Sequence, residues 1–218
     1  MKRVTKMIAT TYSPTRRALL AGGVAAAVAP ALGAPSLALA GTDVAHVTAP
    51  RRLGDDAAPI KVVELFSMTC PHCANFHNDT FPEVKTRLID TGMVQFEMRP
   101  FPLDQLALRG HALARTLPES KYFAMVSMLL KDISRWAGAA DPLQALSQMA
   151  RLAGMSAADF DATMRNRPVL EAIVEMRQAA YKKWDVKSTP SFVVNGKTVL
   201  SGAMTYEDFA AKINATDA

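Results

Sequence analysis

The chain has 218 residues, half of them hydrophobic, so it can build a sizeable core, and a fully disordered chain is excluded. The formal net charge is +5, but residues 1–40 hold five basic residues and no acidic one, and the remainder is formally neutral. The basic excess therefore gives no support for nucleic-acid binding, which requires a basic face on the folded domain. Two cysteines, Cys70 and Cys73, exclude a scaffold held by several disulfides.

Residues 1–40 have the pattern of an export signal. A basic, polar segment (residues 1–17) precedes an uncharged stretch rich in Ala and Gly, which ends with an A-x-A sequence at residues 38–40. We expect signal-peptidase cleavage after Ala40 and a periplasmic mature protein. The adjacent arginines at 16–17 resemble a twin-arginine signal. An uncleaved membrane anchor and the general secretion route are the alternatives.

The next part of the chain predicts a strand, a helix and a second strand. Residues 41–59 are polar with little periodicity and are interpreted as a short lead-in. Residues 60–67 are apolar and β-branched, which predicts a buried central strand. Helical spacing follows over residues 74–89, where Pro82 is expected to kink the helix. Alternation over residues 94–98 predicts the second strand.

Residues 103–185 are predicted to be wholly helical, in five segments separated by Pro, Gly and capping residues. The segments are expected at 103–117, at 121–136, from Pro142 to just before Gly154, from Ser156 onwards, and from Pro168 towards Trp184. A block of this length exceeds a simple crossover connection. It is therefore expected to form a cap domain.

Strand patterns resume near the C-terminus. Two β-branched runs, residues 191–194 and 197–200, flank an Asn-Gly pair at 195–196, which favours the positive φ angles of a type I′ hairpin turn. Thr205 then has the position of a cap for a last helix that ends near Ile213.

This order of elements predicts the fold class. A β-α-β unit and a β-β-α unit, separated by a helical block, are the plan of an α/β protein with a thioredoxin-like fold and a helical insertion domain. We expect residues 60–102 and 186–218 to form the thioredoxin-like domain and residues 103–185 to form the insertion.

Cys70-Pro71-His72-Cys73 lies where the predicted central strand gives way to a helix. Unpaired backbone N–H groups and the helix dipole favour an anion there, so the pKa of Cys70 should be lowered. Cys73, one turn later and more enclosed, is the natural resolving thiol. Pro71 suits the first helical position, and His72 can add positive charge or a donor beside Cys70. Stabilising the thiolate stabilises the reduced form and makes the disulfide a stronger oxidant.

Residues 67–73, the preceding strand with Glu64, and Thr189-Pro190 before another strand resemble the DsbA family of periplasmic thiol oxidases. The central Pro-His pair of the C-x-x-C motif is typical of that family. The resemblance implies an exported thiol:disulfide oxidoreductase that introduces disulfides into cysteine-containing exported proteins. It further implies a monomer that needs no bound cofactor and is reoxidised by a DsbB-like membrane protein.

The same resemblance implies a role for Thr189 and Pro190 in binding substrate. The peptide bond between them would be cis and would face the cysteines. The Thr189 backbone would pair with a substrate strand, and its hydroxyl would lie near Cys70. The alternative is an ordinary trans proline that starts a strand.

Glu64 would be, by resemblance, the buried acid that handles the proton of Cys73. The alternative is a carboxylate that faces outward at a strand end, since a buried carboxylate is costly without a partner or a task. The chain departs from the family where acidic residues often follow the second cysteine, because it has Asn75, His77 and Asn78 there.

Three other interpretations of the C-x-x-C motif stay open. A periplasmic isomerase or reductase would use the same chemistry, and Thr189 favours it because Thr is common there in isomerases. However, the 19 residues between Ala40 and Ile60 leave no room for an N-terminal dimerisation domain. A metal-binding chaperone would need further ligands; His77, one turn after Cys73, is the best candidate, but no second C-x-x-C exists, and we predict no metal. A purely structural disulfide would close too short a loop to stabilise much.

Overall fold

A five-stranded mixed sheet carries the fold in the computed structural model, which describes residues 43–216. The predicted signal segment (residues 1–40) and its cleavage site lie outside the described residues. The strands are β1 (Arg52–Leu53), β2 (Ile60–Phe66), β3 (Val94–Pro100), β4 (Ser191–Val194) and β5 (Thr198–Ser201). Their spatial order is β1-β3-β2-β4-β5, with β2 and β3 parallel and the other neighbouring pairs antiparallel.

The predicted central strand is confirmed, and its position explains the burial of Glu64. β2 pairs with β3 and β4, so Glu64 lies opposite Met98 on one side and Phe192 on the other. Glu64 is 0% exposed, which excludes the alternative of an outward-facing carboxylate.

The helical segment after β2 changes type along its length. It consists of α2 (Pro71–Asn75), a first π-helical turn (Phe76–Thr80), α3 (Phe81–Val84) and a second π-helical turn (Lys85–Ile89). Pro82 lies in the first turn of α3, where the preceding wider turn leaves room for its ring. The predicted helix is therefore present, but it begins at Pro71 and is not uniformly α-helical.

The predicted helical block contains six helices within the described residues. They are α4 (Gln105–Thr116), α5 (Glu119–Lys131), α6 (Ser134–Ala137), α7 (Pro142–Leu152), α8 (Ala157–Arg165) and α9 (Arg167–Trp184). The expected single helix over 121–136 is two helices, because Asp132 has a non-helical backbone (φ −152°, ψ 90°). The predicted cap at Ser156 is confirmed, since its hydroxyl accepts a hydrogen bond from the Asp159 N–H.

One hydrophobic core joins the helical block to the sheet. It includes sheet residues such as Phe66 and Phe96 and helical residues such as Tyr122 and Leu130. The division into a thioredoxin-like domain and an insertion stays a prediction. Within the described range, no helix is both long and apolar enough to cross a membrane.

The lead-in contains regular structure that its sequence does not predict. A helix, α1 (Val44–Thr48), begins after Asp43, and β1 pairs with the outer edge of β3. The buried Arg115 of α4 donates to the carbonyl oxygens of Val47 and Ala49. Both elements are too short to show a periodic pattern, and contacts remote in sequence stabilise them.

The C-terminal hairpin and helix agree with their local signals. Asn195 and Gly196 have φ angles of 49° and 71°, as the type I′ prediction requires. The last helix, α10 (Tyr206–Ala215), begins at Thr205, whose hydroxyl accepts a hydrogen bond from the Asp208 N–H.

Candidate active site

Cys70 is the N-cap residue of α2, immediately beyond the carboxyl end of β2. Its backbone is extended (φ −82°, ψ 117°), and the residue is 6% exposed. Its Sγ donates to the backbone carbonyl of Thr189 at 3.3 Å. Both cysteines are free thiols. The central strand and the helix that follows it therefore place one thiol beside the loop that precedes β4.

The pKa of Cys70 is lowered to about 5 from the ordinary thiol value of 9.0. The largest cause is a hydrogen bond with the thiol of Cys73, while burial acts in the opposite direction. The side chain of Thr189 and the backbone N–H groups of Cys73 and His72 lower the pKa further. The expected thiolate is therefore supported by the helix start, with the larger contribution coming from Cys73.

Cys73 has the opposite electrostatic environment. It is 0% exposed, and burial is the largest cause of the rise in its pKa. Its hydrogen bond with Cys70 and the nearby carboxylate of Glu64 raise the pKa further. At neutral pH, Cys70 is thus an anion and Cys73 keeps its proton, which separates a nucleophile from a resolving thiol.

His72 and Pro71 occupy the exposed start of α2. Pro71 is at the first helical position, as predicted. The imidazole of His72 is exposed, and the contribution of this residue to the Cys70 pKa comes from its backbone N–H. A role for the His72 side chain in tuning the thiolate stays a prediction.

Thr189 and Pro190 lie against Cys70 from the other side. The peptide bond between them is cis, so the expected isomer is present and the trans alternative is wrong. The Thr189 hydroxyl is buried and has no hydrogen-bond partner among the described residues while Cys70 is a thiol. It is therefore available to donate to the thiolate, in agreement with its effect on the Cys70 pKa.

Glu64 has a partner that the sequence pattern does not reveal. Nε2 of His77, in the first π-helical turn, lies 2.9 Å from Oε2 of Glu64. The other carboxylate oxygen, Oε1, is buried without a hydrogen-bond partner among the described residues. The imidazole packs against the rings of Phe66, Phe76 and Phe81, at centroid distances of 5.9, 5.8 and 4.9 Å. A position four residues after Cys73 suggested His77 as a zinc ligand, but its ring bonds to the carboxylate.

The structure also bears on metal binding and on the state of a second buried histidine. Within residues 43–216, no three His, Cys, Asp or Glu side chains come close enough together to hold a metal ion. The second buried histidine near the site, His111, bonds to the carbonyl of Phe66 at 3.1 Å. Burial, followed by the charge of Arg115, lowers the pKa of His111 to about 3, so this ring is neutral.

Several known proteins are similar to this chain in sequence. The profile of a family described as "Thioredoxin" matches residues 46–215. A putative protein-disulfide oxidoreductase of Rickettsia conorii is 30% identical over 145 residues, which cover 66% of this chain and 52% of the relative. The chain thus spans about half the length of the first curated relatives it matches. The thiol:disulfide interchange protein DsbA of Bordetella parapertussis is 27% identical over 197 residues, covering 88% of this chain and 90% of that protein.

Solved structures share the fold. The crystal structure of Wolbachia pipientis α-DsbA1 has a TM-score of 0.70 and 26% sequence identity, covering 78% of this chain and 92% of that chain. BdbD of Bacillus subtilis, at 19% identity, has a TM-score of 0.61 and covers 77% of this chain and 92% of its own. The expected α/β, thioredoxin-like fold class is therefore confirmed. The chain belongs to the thioredoxin family. The DsbA-named relatives and structures confirm its resemblance to the DsbA family of thiol:disulfide oxidoreductases.

Proposed function

We propose that the chain is an exported thiol:disulfide oxidoreductase that introduces disulfides into folding proteins by exchange at Cys70 and Cys73. The observation that carries this proposal is the opposite shift of the two pKa values, lowered to about 5 at Cys70 and raised at Cys73. A stabilised thiolate favours the reduced form, so the disulfide form has a strong tendency to accept electrons.

The exchange takes two steps. A substrate thiolate attacks Sγ of Cys70, the bond to Cys73 breaks, and the sulfur of Cys73 leaves with the electron pair and takes up a proton. A second substrate thiolate then attacks the substrate sulfur of the mixed disulfide, and Cys70 leaves as a thiolate. The substrate loses two electrons and gains a disulfide, and the two cysteines are reduced.

Thr189 and Pro190 are the proposed substrate-binding residues. The carbonyl of Thr189 is 3.3 Å from Sγ of Cys70, so a substrate cysteine bonded to that sulfur lies within reach of this backbone. An extended substrate segment can pair with it as an added strand. Specific side chains of the substrate then matter less than an accessible thiol, as suits an enzyme acting on many proteins.

Export, reoxidation and assembly are proposed from the leader and from the DsbA-named relatives. The signal-like residues 1–40 direct the chain to the periplasm, where cysteine-containing exported proteins are its substrates. A DsbB-like membrane protein accepts the electrons and regenerates the disulfide. The enzyme acts as a monomer, with residues 103–185 as an insertion in the thioredoxin-like domain, and binds no cofactor.

A periplasmic isomerase or reductase is the second candidate function. Thr189 favours it, since a threonine before the cis proline is common in isomerases. Such an enzyme would use Cys70 to attack existing disulfides instead of donating its own.

The test is equilibration of the purified protein with glutathione buffers of graded ratio. An oxidase should have a reduction potential well above the roughly −270 mV of thioredoxin. A potential near that of thioredoxin would favour the reductase. Refolding of a reduced substrate, compared with a substrate carrying scrambled disulfides, separates oxidase from isomerase. Cys70→Ser is the inactive control in both assays.

A further inference from the structure

We propose that His77 is a positioning residue that holds the buried Glu64 and exchanges its proton with solvent each time Cys73 is protonated or deprotonated. The inference rests on the proposed function, because it concerns the step in which Cys73 leaves or attacks. It assigns a task to a residue otherwise expected only as a candidate metal ligand.

The first support is the burial of the pair. Glu64 is 0% exposed in the central strand, and a carboxylate there is costly unless it is hydrogen-bonded. Within the described part of the chain, its one side-chain hydrogen bond is with Nε2 of His77, at 2.9 Å. Two buried groups at this distance share a proton readily, since either an ion pair or a neutral pair leaves no net charge in the core.

The second support is the way the imidazole is held. The rings of Phe66, Phe76 and Phe81 contact it, and the first π-helical turn carries it from α2 to the carboxylate. Such packing fixes the ring orientation and keeps Nε2 directed at Glu64. A π-helical turn inside a helix is frequently found at functional sites.

The other titratable groups near Glu64 cannot take the place of His77 in passing a proton between Glu64 and solvent. They are Cys73 on α2, Tyr122 on α5, and His111 and Arg115 on α4, beyond the ring of Phe66. Burial raises the pKa of Tyr122, so it stays protonated, and His111 is neutral at any working pH. The groups that can exchange a proton with Glu64 are therefore the thiol of Cys73 and the imidazole of His77.

The third support is the coupling of Glu64 to Cys73. The carboxylate raises the pKa of that thiol, and Oε1 of Glu64 has no hydrogen-bond partner among residues 43–216, so it is available to the Cys73 sulfur. When a substrate thiolate breaks the disulfide, the Cys73 sulfur takes a proton from Glu64. On reoxidation, Glu64 takes the proton back as the Cys73 thiolate attacks the mixed disulfide at Cys70.

The fourth support is access. The side chain of Glu64 is fully enclosed, whereas 4% of the His77 side chain stays exposed. A proton that reaches the carboxylate from solvent therefore passes along the imidazole, which can accept at one nitrogen and donate at the other. Without this ring, Glu64 would exchange protons slowly and would change charge at a cost.

The test measures how fast Cys73 resolves a mixed disulfide at Cys70. Reduced protein is mixed with oxidised glutathione at a series of pH values, the reaction is quenched with acid, and the mixed disulfide of Cys70 with glutathione is counted by mass spectrometry. In the wild type, Cys73 removes this species quickly. In His77→Gln, whose amide can still donate to Glu64 but cannot pass a proton on, it should accumulate. Its decay should be about 10- to 100-fold slower, within the ~10²- to 10⁴-fold effect of a positioned acid or base.

The pH dependence separates proton exchange from a merely structural role. The ratio of wild-type to His77→Gln rates should vary with pH, and a ratio that is equal at every pH would overturn the proposal. His111→Gln is the matched control, because it removes a buried imidazole from the other contact of Phe66 without touching Glu64. The ratio of wild-type to His111→Gln rates should not vary with pH.

A double variant covers the case in which one variant folds poorly. His77→Gln combined with Glu64→Gln should slow decay no more than the slower single variant, because both changes interrupt one proton path. Multiplicative losses would contradict the proposal. If oxidised glutathione did not convert the reduced wild type to the Cys70–Cys73 disulfide, the proposed function would fail. If the wild type were oxidised in this way and His77→Gln matched its rates at every pH, the inference about His77 alone would fail.

Discussion

At the scale of single residues, the site separates two chemically identical side chains. Cys70 lies at a helix start among donors, whereas Cys73, three residues later, lies beside a buried carboxylate. The motif predicts the first environment, because helix starts favour anions wherever they occur. The pair of Glu64 and His77 is not predictable from the sequence, because a strand and a π-helical turn must first bring the two side chains together.

Thr189→Val is expected to raise the pKa of Cys70. The change keeps the shape of the side chain but removes the hydroxyl that lowers this pKa. A hydrogen bond to a charged group contributes about 1.5–3 kcal/mol, so the rise should be about one to two pKa units. Thiolate absorbance followed against pH measures it. Thr163→Val is the matched control. The Thr163 hydroxyl is also buried without a hydrogen-bond partner among the described residues, but it lies on α8, so the change should leave the Cys70 titration unchanged.

His72→Ala is expected to have a smaller effect on the same titration. The His72 contribution to the Cys70 pKa comes from the backbone N–H, which alanine retains. A rise as large as that of Thr189→Val would instead assign the tuning to the imidazole, as the motif alone suggests.

At the scale of elements, adjacent residues determine some parts of the fold, and contacts remote in sequence determine others. The cap at Ser156 and the turn at Asn195-Gly196 are predictable because a few adjacent residues determine them. The break at Asp132 and the elements α1 and β1 are not, because packing against other elements decides them. The helix over residues 74–89 is predictable in extent, but its π-helical turns are not, since each depends on a single displaced hydrogen bond.

Arg115→Met should loosen α1 and β1 while leaving the rest of the fold in place. It removes the donors to the carbonyls of Val47 and Ala49 and leaves both oxygens with fewer partners. Losing a buried partner costs about 1–3 kcal/mol, which corresponds to about 10- to 100-fold faster amide exchange in this segment. Hydrogen exchange resolved by peptide measures the change, with α10 as the internal reference. Arg165→Met, an exposed change on α8, should leave exchange in α1 as it was, and an equally fast α1 in both variants would refute this account.

At the scale of the whole molecule, the redox state of two sulfurs should set the stability of the chain. The C-x-x-C loop is too short for its disulfide to gain much from chain entropy. The reduced form, in contrast, contains a thiolate that the folded site favours and the unfolded chain does not. In most disulfide proteins the oxidised form is the more stable one, whereas here the reduced form should be more stable.

The reduced protein is expected to be the more stable form at neutral pH. Its pKa at Cys70 is about 5 when folded and about 9 when unfolded, so the stabilisation is complete above pH 9 and is lost as the pH falls through 5. At pH 7 it amounts to at most about 3 kcal/mol, since each pH unit adds about 1.4 kcal/mol. The raised pKa of Cys73 has the opposite sign and removes stability only above pH 9.

Denaturant unfolding of both redox forms at pH 4, 7 and 8.5 measures this difference. The gap in the free energy of unfolding should grow across the series and nearly vanish at pH 4. A more stable oxidised form at pH 7 would argue against a stabilised Cys70 thiolate and in favour of the isomerase or reductase.

Export is the other prediction for the whole chain. Periplasmic protein should begin at Gly41, as the A-x-A sequence at residues 38–40 predicts. N-terminal sequencing identifies the start, and replacing both arginines at 16–17 by lysine tests the twin-arginine route. Intact protein confined to the cytoplasm would contradict the assignment, whereas export that survives the double replacement would favour general secretion.

The short strand β1 limits how much of the N-terminus processing can remove. β1 covers the outer edge of β3, a seven-residue strand that is buried along nearly its whole length. Cleavage after Ala40 leaves two residues before the cap at Asp43. A peptidase that cut after Leu53 would delete both α1 and β1 and uncover the β3 edge at Phe96 and Glu97. An unpaired strand edge is a template for aggregation, so the expected cleavage after Ala40 would preserve solubility as well as permit export.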